Sequence, residues 1–256
     1  MILRPLDPPP TTTTEFLPAW SVVEQVQRQN YESCWMITQP SHAALAGDFA
    51  AKLTDLNVAE QDGSLTRAIE LHDAGWGALD AQAIMLSRSV SQNTPKSFVA
   101  YGVGDFVNAW GKSIDVAESV SATGGYIVSR HFSRLAKHAM SHVQDKDRQI
   151  VERFLKNEEA RQQQLAAKQN FSTKELENLT DVLQFCDLLS LYICCGARQN
   201  VEFPEYFGVK ARLTVEKESY QLDPILIEPG TVFGVAALRH PPTKAASGQE
   251  FEIKIG

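Results

Sequence analysis

LTDVLQFCDLLSLYICC, residues 179–195, belongs to the most apolar segment of the chain, and its periodicity predicts the central core helix over residues 173–195. Ser172-Thr173-x-Glu175 reads as a capping box at its start. Leu183, Asp187 and Leu191 fall on one face at i, i+4 and i+8. A lone carboxylate on that face would cost on the order of several kcal/mol, so Asp187 must be paired, protonated or bound to a metal. Neither Lys nor Arg occurs between residues 175 and 197, so the partner has to come from elsewhere in the chain.

Most of the remaining chain also has helical spacing. SHAALAGDFAAKLTDL (41–56) places His42, Leu45, Phe49 and Leu53 in one stripe, with Ser41 as the expected N-cap. A short helix follows over 64–73, then a Gly-, Ser-, Asn- and Pro-bearing stretch, 74–97, that reads as a long irregular connection. Helical periodicity resumes at 105–120 and 124–143, and 145–169 reads as an exposed, Gln-rich helix and a turn. After Gly196 the pattern changes: ARLTVEK, ILIEPG, TVFGVAALRH and FEIKIG alternate and carry β-branched residues, predicting three or four short strands. The expected organisation is a flexible N-terminal arm (1–18), loosest at its Pro/Thr run, a helical domain (19–204) and a β-rich C-terminal appendage (205–256). The fold class expected is therefore mainly α, a helical bundle with a small C-terminal β appendage.

The composition excludes several classes of function. The chain of 256 residues is 43% hydrophobic and 21% charged with a net charge of -7, its pI is about 5.4 and its mean hydropathy -0.22. An acidic chain lacks the basic footprint of nucleic-acid binding. No apolar run reaches the roughly 18 residues of a membrane span, and the N-terminus lacks the pattern of a signal peptide. Cys34, Cys186, Cys194 and Cys195 have neither disulfide-framework nor zinc-finger spacing, which fits buried thiols in a reducing cytoplasm. Gly102-x-Gly104 lacks the third glycine of a dinucleotide loop, and neither a P-loop nor a Ser-His-Asp set is readable.

RAIELHDAGWGALD (67–80) supplies the partners that Asp187 wants. His72-Asp73 closes a short buried helix, and His42 opens an apolar stripe thirty residues earlier. Alone, a His-Asp pair is more often a solvated corner, and a lone histidine on an apolar face more often a satisfied core residue. In the order His42 … His72-Asp73 … Asp187, however, the sequence resembles the HD-domain superfamily of metal-dependent phosphohydrolases (the HD/PDEase-like fold). QPSHAALAGDFAAKL looks like its first-histidine helix, IELHDAGW like the HD helix and FCDLLSL like the helix of its final Asp. A narrower resemblance is to an uncharacterised bacterial domain-of-unknown-function family assigned to that fold, which Gln39, His42, His72, Asp73, Gly75, Trp76, His131 and Asp187 match.

Two imidazoles and two carboxylates make a set suited to Mn, Fe, Co, Ni or Zn, as one or two ions, rather than to calcium. Bound water would then be acidified and a phosphoryl oxygen polarised, with Asp73 orienting the nucleophilic water. His131, His138 and His142 share roughly one face of helix 124–143. At about 1.5 Å per residue His131 and His138 stand on the order of 10 Å apart, so only one can join the centre. His131, on the apolar part of the helix, is the expected fifth ligand and a catalytic candidate. Arg130, Trp76 and Lys96 are the substrate-binding candidates, with Arg134 and Asp80 beside them; surface ion pairs and core packing are the plain alternatives. The leading expectation is a cytoplasmic hydrolase of a small phosphate ester or nucleotide, with no nucleic-acid or membrane partner and with a homodimer left open. A di-iron oxygenase and a non-catalytic metal-binding protein are the alternatives.

Overall fold

The computed structural model describes residues 1–8, 14–54, 63–89, 94–141, 143–216, 219–243 and 247–256. Its elements run β1 (Ile2–Pro5), β2 (Leu17–Pro18), α1 (Ala19–Gln27), β3 (Cys34–Ile37), α2 (Gln39–Ala51), α3 (Ser64–Glu70), α4 (Gly77–Ser89), α5 (Val103–Val120), α6 (Ala122–Ala139), α7 (Asp145–Ala166), α8 (Thr173–Cys194), β4 (Val201–Tyr206), β5 (Val209–Glu216), β6 (Ser219–Asp223), β7 (Val232–His240) and β8 (Gly248–Ile255). Two 3-10 turns, Ala74–Trp76 and Phe98–Ala100, join helices.

α8 is the axis of the helical layer. The capping box starts it as expected: Ser172 Oγ accepts from the Glu175 amide, and the Glu175 carboxylate accepts from the Ser172 amide at 2.7 Å. Every residue from Leu188 to Cys195 is buried, because α1, α2, α6, β1 and β4 pack around the helix. α2 begins two residues before the expected start: Thr38, not Ser41, is its N-cap, accepting from the Ser41 amide at 3.1 Å. The stretch 74–97 is not an irregular connection, since α4 occupies Gly77–Ser89. Gly75 lets the chain pass against α5; a Cβ there would sit 2.0 Å from the Ala109 carbonyl oxygen.

The expected small β appendage is overturned. One eight-stranded mixed sheet runs in the order β1-β3-β7-β8-β6-β5-β4-β2, and it draws strands from both ends of the chain. β3 pairs antiparallel with both β1 and β7, and β2 lies parallel to β4. The protein is thus a mixed α/β molecule in which a substantial sheet packs against the helices. Residues 2–5, placed by sequence in a loose arm, form an edge strand; 9–13 of that arm lie outside the described residues. Gln27 of α1 shields this edge, accepting from the Leu3 amide at 2.9 Å and donating to the Leu3 carbonyl at 2.7 Å as a neighbouring strand would. Both edge strands, β1 and β2, touch α1. Seven strand spacings of about 4.8 Å would separate the edges of a flat sheet by about 34 Å, more than twice the length of a nine-residue helix, so the sheet curves around the helical layer. ILIEPG forms no strand; within it Ile227 makes an isolated bridge to Leu53.

Candidate metal centre

Four pieces of chain converge at one buried point. α2 carries His42, the turn after α3 carries His72 and Asp73, α6 carries His131 and α8 carries Asp187. All five are buried, and the two carboxylates are the most exposed of them, Asp73 at 6% and Asp187 at 9%. His42 Nε2 lies 2.8 Å from Asp73 Oδ2, and His72 Nε2 lies 3.2 Å from Asp187 Oδ1 and 3.8 Å from Asp73 Oδ2. His131 Nε2 stands 3.7 Å from Asp187 Oδ2, too far for a hydrogen bond. Ligand atoms of His42, His72 and Asp73, and again of His72, His131 and Asp187, all lie within 4.8 Å of one another.

Hydrogen bonds behind the rings decide which nitrogen faces inward. The Ile69 carbonyl accepts from His72 Nδ1 at 2.7 Å. Ser190 Oγ spends its proton on the Asp187 carbonyl at 2.8 Å, so toward His42 Nδ1, 2.9 Å away, it can only accept. Both rings therefore carry the Nδ1 proton and aim the Nε2 lone pair at a carboxylate. A lone pair facing an anion at about 3 Å is repulsive unless a positive species lies between them.

A proton is one such species. Burial opposes charging His72, yet the Asp73 charge and the Asp187 hydrogen bond and charge outweigh it and raise its pKa to about 9. Burial likewise opposes the Asp187 carboxylate, but the His72 hydrogen bond and charge, with His131 and His42 behind them, lower its pKa to about 2. Burial lowers His131 to about 4, against the pull of Asp187. A divalent metal is the other species. Metal–ligand bonds of about 2.0–2.2 Å place neighbouring ligands about 3 Å apart, and the cluster already has that spacing and the N/O donors. The residues fit the ion.

The remaining predicted residues lie elsewhere or are already engaged. Trp76 is a core residue, 1% exposed and edge-on to Tyr101 and Phe106, not the wall of a cleft. Lys96 sits exposed over the Tyr101 ring, 4.1 Å from its centroid. Arg130 grips Glu177 with two hydrogen bonds of 2.8 and 3.2 Å, and Arg134 holds Glu177, Asp181 and Gln184. Asp80 is buried, accepting from the Met1 amino group and from the Gln39 amide, both at 2.6 Å; the second bond braces the start of the helix that carries His42. His138 lies exposed on the last turn of α6, and His142 lies outside the described residues.

The orienting acceptors were missed. Ser190 stands three residues after Asp187, and its position on the same helical face could have marked it. The Ile69 carbonyl leaves no mark in a sequence.

A family model described as "Protein of unknown function (DUF3891)" matches residues 26–231. The chain belongs to that family. Neither a curated protein nor a solved structure matches it. The DUF3891 match spans all five cluster residues, while β1, β2, β7 and β8 fall outside it. No described helix is long and apolar enough to cross a membrane.

Proposed function

We propose that the protein is a metal-dependent hydrolase of a small phosphate ester or nucleotide, with His42, His72, Asp73 and Asp187 holding a divalent transition metal. The observation that carries this reading is the inward aim of two locked Nε2 lone pairs at two buried carboxylates. At such a donor set the ion supplies acidified water and a Lewis acid for a phosphoryl oxygen. The chain's own residues do the rest. Ser190 and the Ile69 carbonyl accept from the Nδ1 protons and so hold the imidazoles in one tautomer and orientation. Burial excludes bulk water and strengthens each electrostatic contact. Asp73 Oδ2 faces His42 Nε2 across the place of the ion, which leaves Oδ1 to orient a water. The order His42 … His72-Asp73 … Asp187, similar to that of the HD phosphohydrolases, supports hydrolysis over other uses of the ion.

Elemental analysis of tag-free protein tests the reading. Wild type and His240→Ala are expected to hold about one equivalent of Mn, Fe, Co, Ni or Zn, and His72→Ala and Asp187→Ala none, with phosphate-ester turnover lost in the same two variants. Equal metal content in all four proteins refutes the site.

A further inference from the structure

The end of α8 gathers a second set of polar groups. Gly196, just past the helix, has a φ of 67°, and a Cβ there would sit 2.9 Å from Arg4 Cγ and 3.0 Å from Arg4 Cζ. The Arg4 side chain, reaching in from β1, therefore lies directly on the glycine backbone. Its guanidinium also rests over the Phe251 ring, with Cζ 4.3 Å from the centroid. Arg4 Nη1 donates to the Ile193 carbonyl at 2.9 Å, which ties the cation to the last turn of α8.

These groups border a partly open cavity of about 200 Å³ that Arg198 and Tyr220 line as well. Tyr220 of β6 is the register partner of Ile255, so it shares the inner face of the sheet with Phe251 of β8. Burial raises the Tyr220 pKa, while Arg4, by charge and hydrogen bond, and Arg198, by charge, pull it down. A helix C-terminus attracts one cation, and Arg4 serves it. It does not account for two guanidinium groups at one cavity, which repel each other. Arg4 pairs with no carboxylate among the described residues. Glu252 also lines the cavity, but its side chain is 63% exposed and pairs with Lys254 at 3.1 Å.

We propose that this cavity binds an oxyanion, the phosphate, sulfate or carboxylate group of a small molecule, between the guanidinium groups of Arg4 and Arg198 and the Tyr220 hydroxyl. Arg4 spends one N–H on Ile193 and keeps others for a forked pair of bonds, and the tyrosine hydroxyl adds a donor. Oxygens that only accept are what such donors suit. At about 30 Å³ per water molecule the cavity holds several waters, enough space for one tetrahedral oxyanion. Ile193 lies about 9 Å beyond Asp187 along α8, at about 1.5 Å per residue. The oxyanion site is therefore separate from the metal centre and does not depend on an ion being bound there.

The test uses the full chain, as purified and again after chelation, with inorganic phosphate, sulfate and acetate as separate probes in calorimetry. At least one anion should bind with the same affinity in both preparations. That affinity should fall about tenfold or more in Arg198→Gln and in Tyr220→Phe, the loss expected for one hydrogen bond to a charged group. Arg198 is exposed, so its variant probes the cavity without disturbing the core, and both variants leave the hold of Arg4 on α8 in place. Arg212→Gln, on the exposed side of β5, should change nothing. Binding of phosphate and sulfate without acetate would identify a tetrahedral group as the ligand, and binding of acetate alone a carboxylate. Binding of none of the three, or affinity unchanged in either Arg198→Gln or Tyr220→Phe, overturns the assignment. Binding that disappears on chelation overturns it too, by placing the anion at the metal centre.

Discussion

α6 carries buried polar side chains into two clusters, and they differ in kind. Toward α5 and α7 it presents Ser129 and Ser133. Ser129 donates to Glu158 at 2.9 Å, Gln162 donates to both serines, and Arg161 pairs with Glu158, Asp115 and Glu118. Donors meet acceptors throughout, and Glu158, only 4% exposed, is matched by a cation and a hydroxyl. Toward α8 and the turn after α3 the helix presents His131, at a cluster where two carboxylates face imidazole lone pairs whose protons have been turned outward. The first cluster is complete with protein atoms alone. The second is acceptor against acceptor and is completed only by a proton or a cation. A buried polar network that closes on itself needs nothing further; one that lacks a positive charge takes up a proton or a cation.

Ser190→Ala should do the most to sharpen the contrast. It removes the acceptor behind His42 without touching a ligand atom, and metal affinity should fall about 10- to 100-fold, measured by competition with a chelator. No change would mean that Ser190 only caps the Asp187 carbonyl.

The proton and the cation should compete. Because the pKa of His72 in the folded protein is raised from 6.5 to about 9, its contribution to the stability of the metal-free protein is complete below pH 6.5 and is lost as pH rises through 9. Asp187, lowered from 3.8 to about 2, contributes above pH 3.8 and loses that contribution as pH falls toward 2. His131, lowered from 6.5 to about 4, takes stability away as pH falls from 6.5 toward 4, so thermal melting of the metal-free protein should be highest near pH 6.5. Metal affinity, with one proton to displace at His72, should rise about tenfold per pH unit from 7 to 9 and then level off. A flat titration would show that His72 binds no proton against the ion.

Glu158→Ala should have no effect on metal content. It removes the acceptor of the Ser129 hydroxyl and one of the three carboxylates on Arg161, so stability in urea should fall by about 1–3 kcal/mol with metal stoichiometry unchanged. Loss of metal in that variant would erase the distinction between the two faces of α6.

The helical half of the molecule was readable from residues because its signals are local. Asp187 among leucines without a nearby cation, the capping box at Ser172 and the apolar stripe behind His42 each lie within one or two helical turns. The sheet was not readable in the same way. β3, CWMI, is buried at all four positions and shows no alternation, and β1 and β2 are four and two residues long. Their pairing partners lie up to about two hundred residues away, as in Met36 against Leu238. α4 was hidden by the breaks around it, Gly75-Trp76-Gly77 before and Asn93-Thr94-Pro95 after.

By itself, then, the sequence determined which side chains must be buried and which of them need a partner, because periodicity and burial cost are properties of short stretches of chain. Tertiary structure alone decided that Ser190 and the Ile69 carbonyl turn two imidazole protons outward, and that Arg130 is already spent on Glu177. Each of those is a contact between segments whose local patterns carry no information about one another.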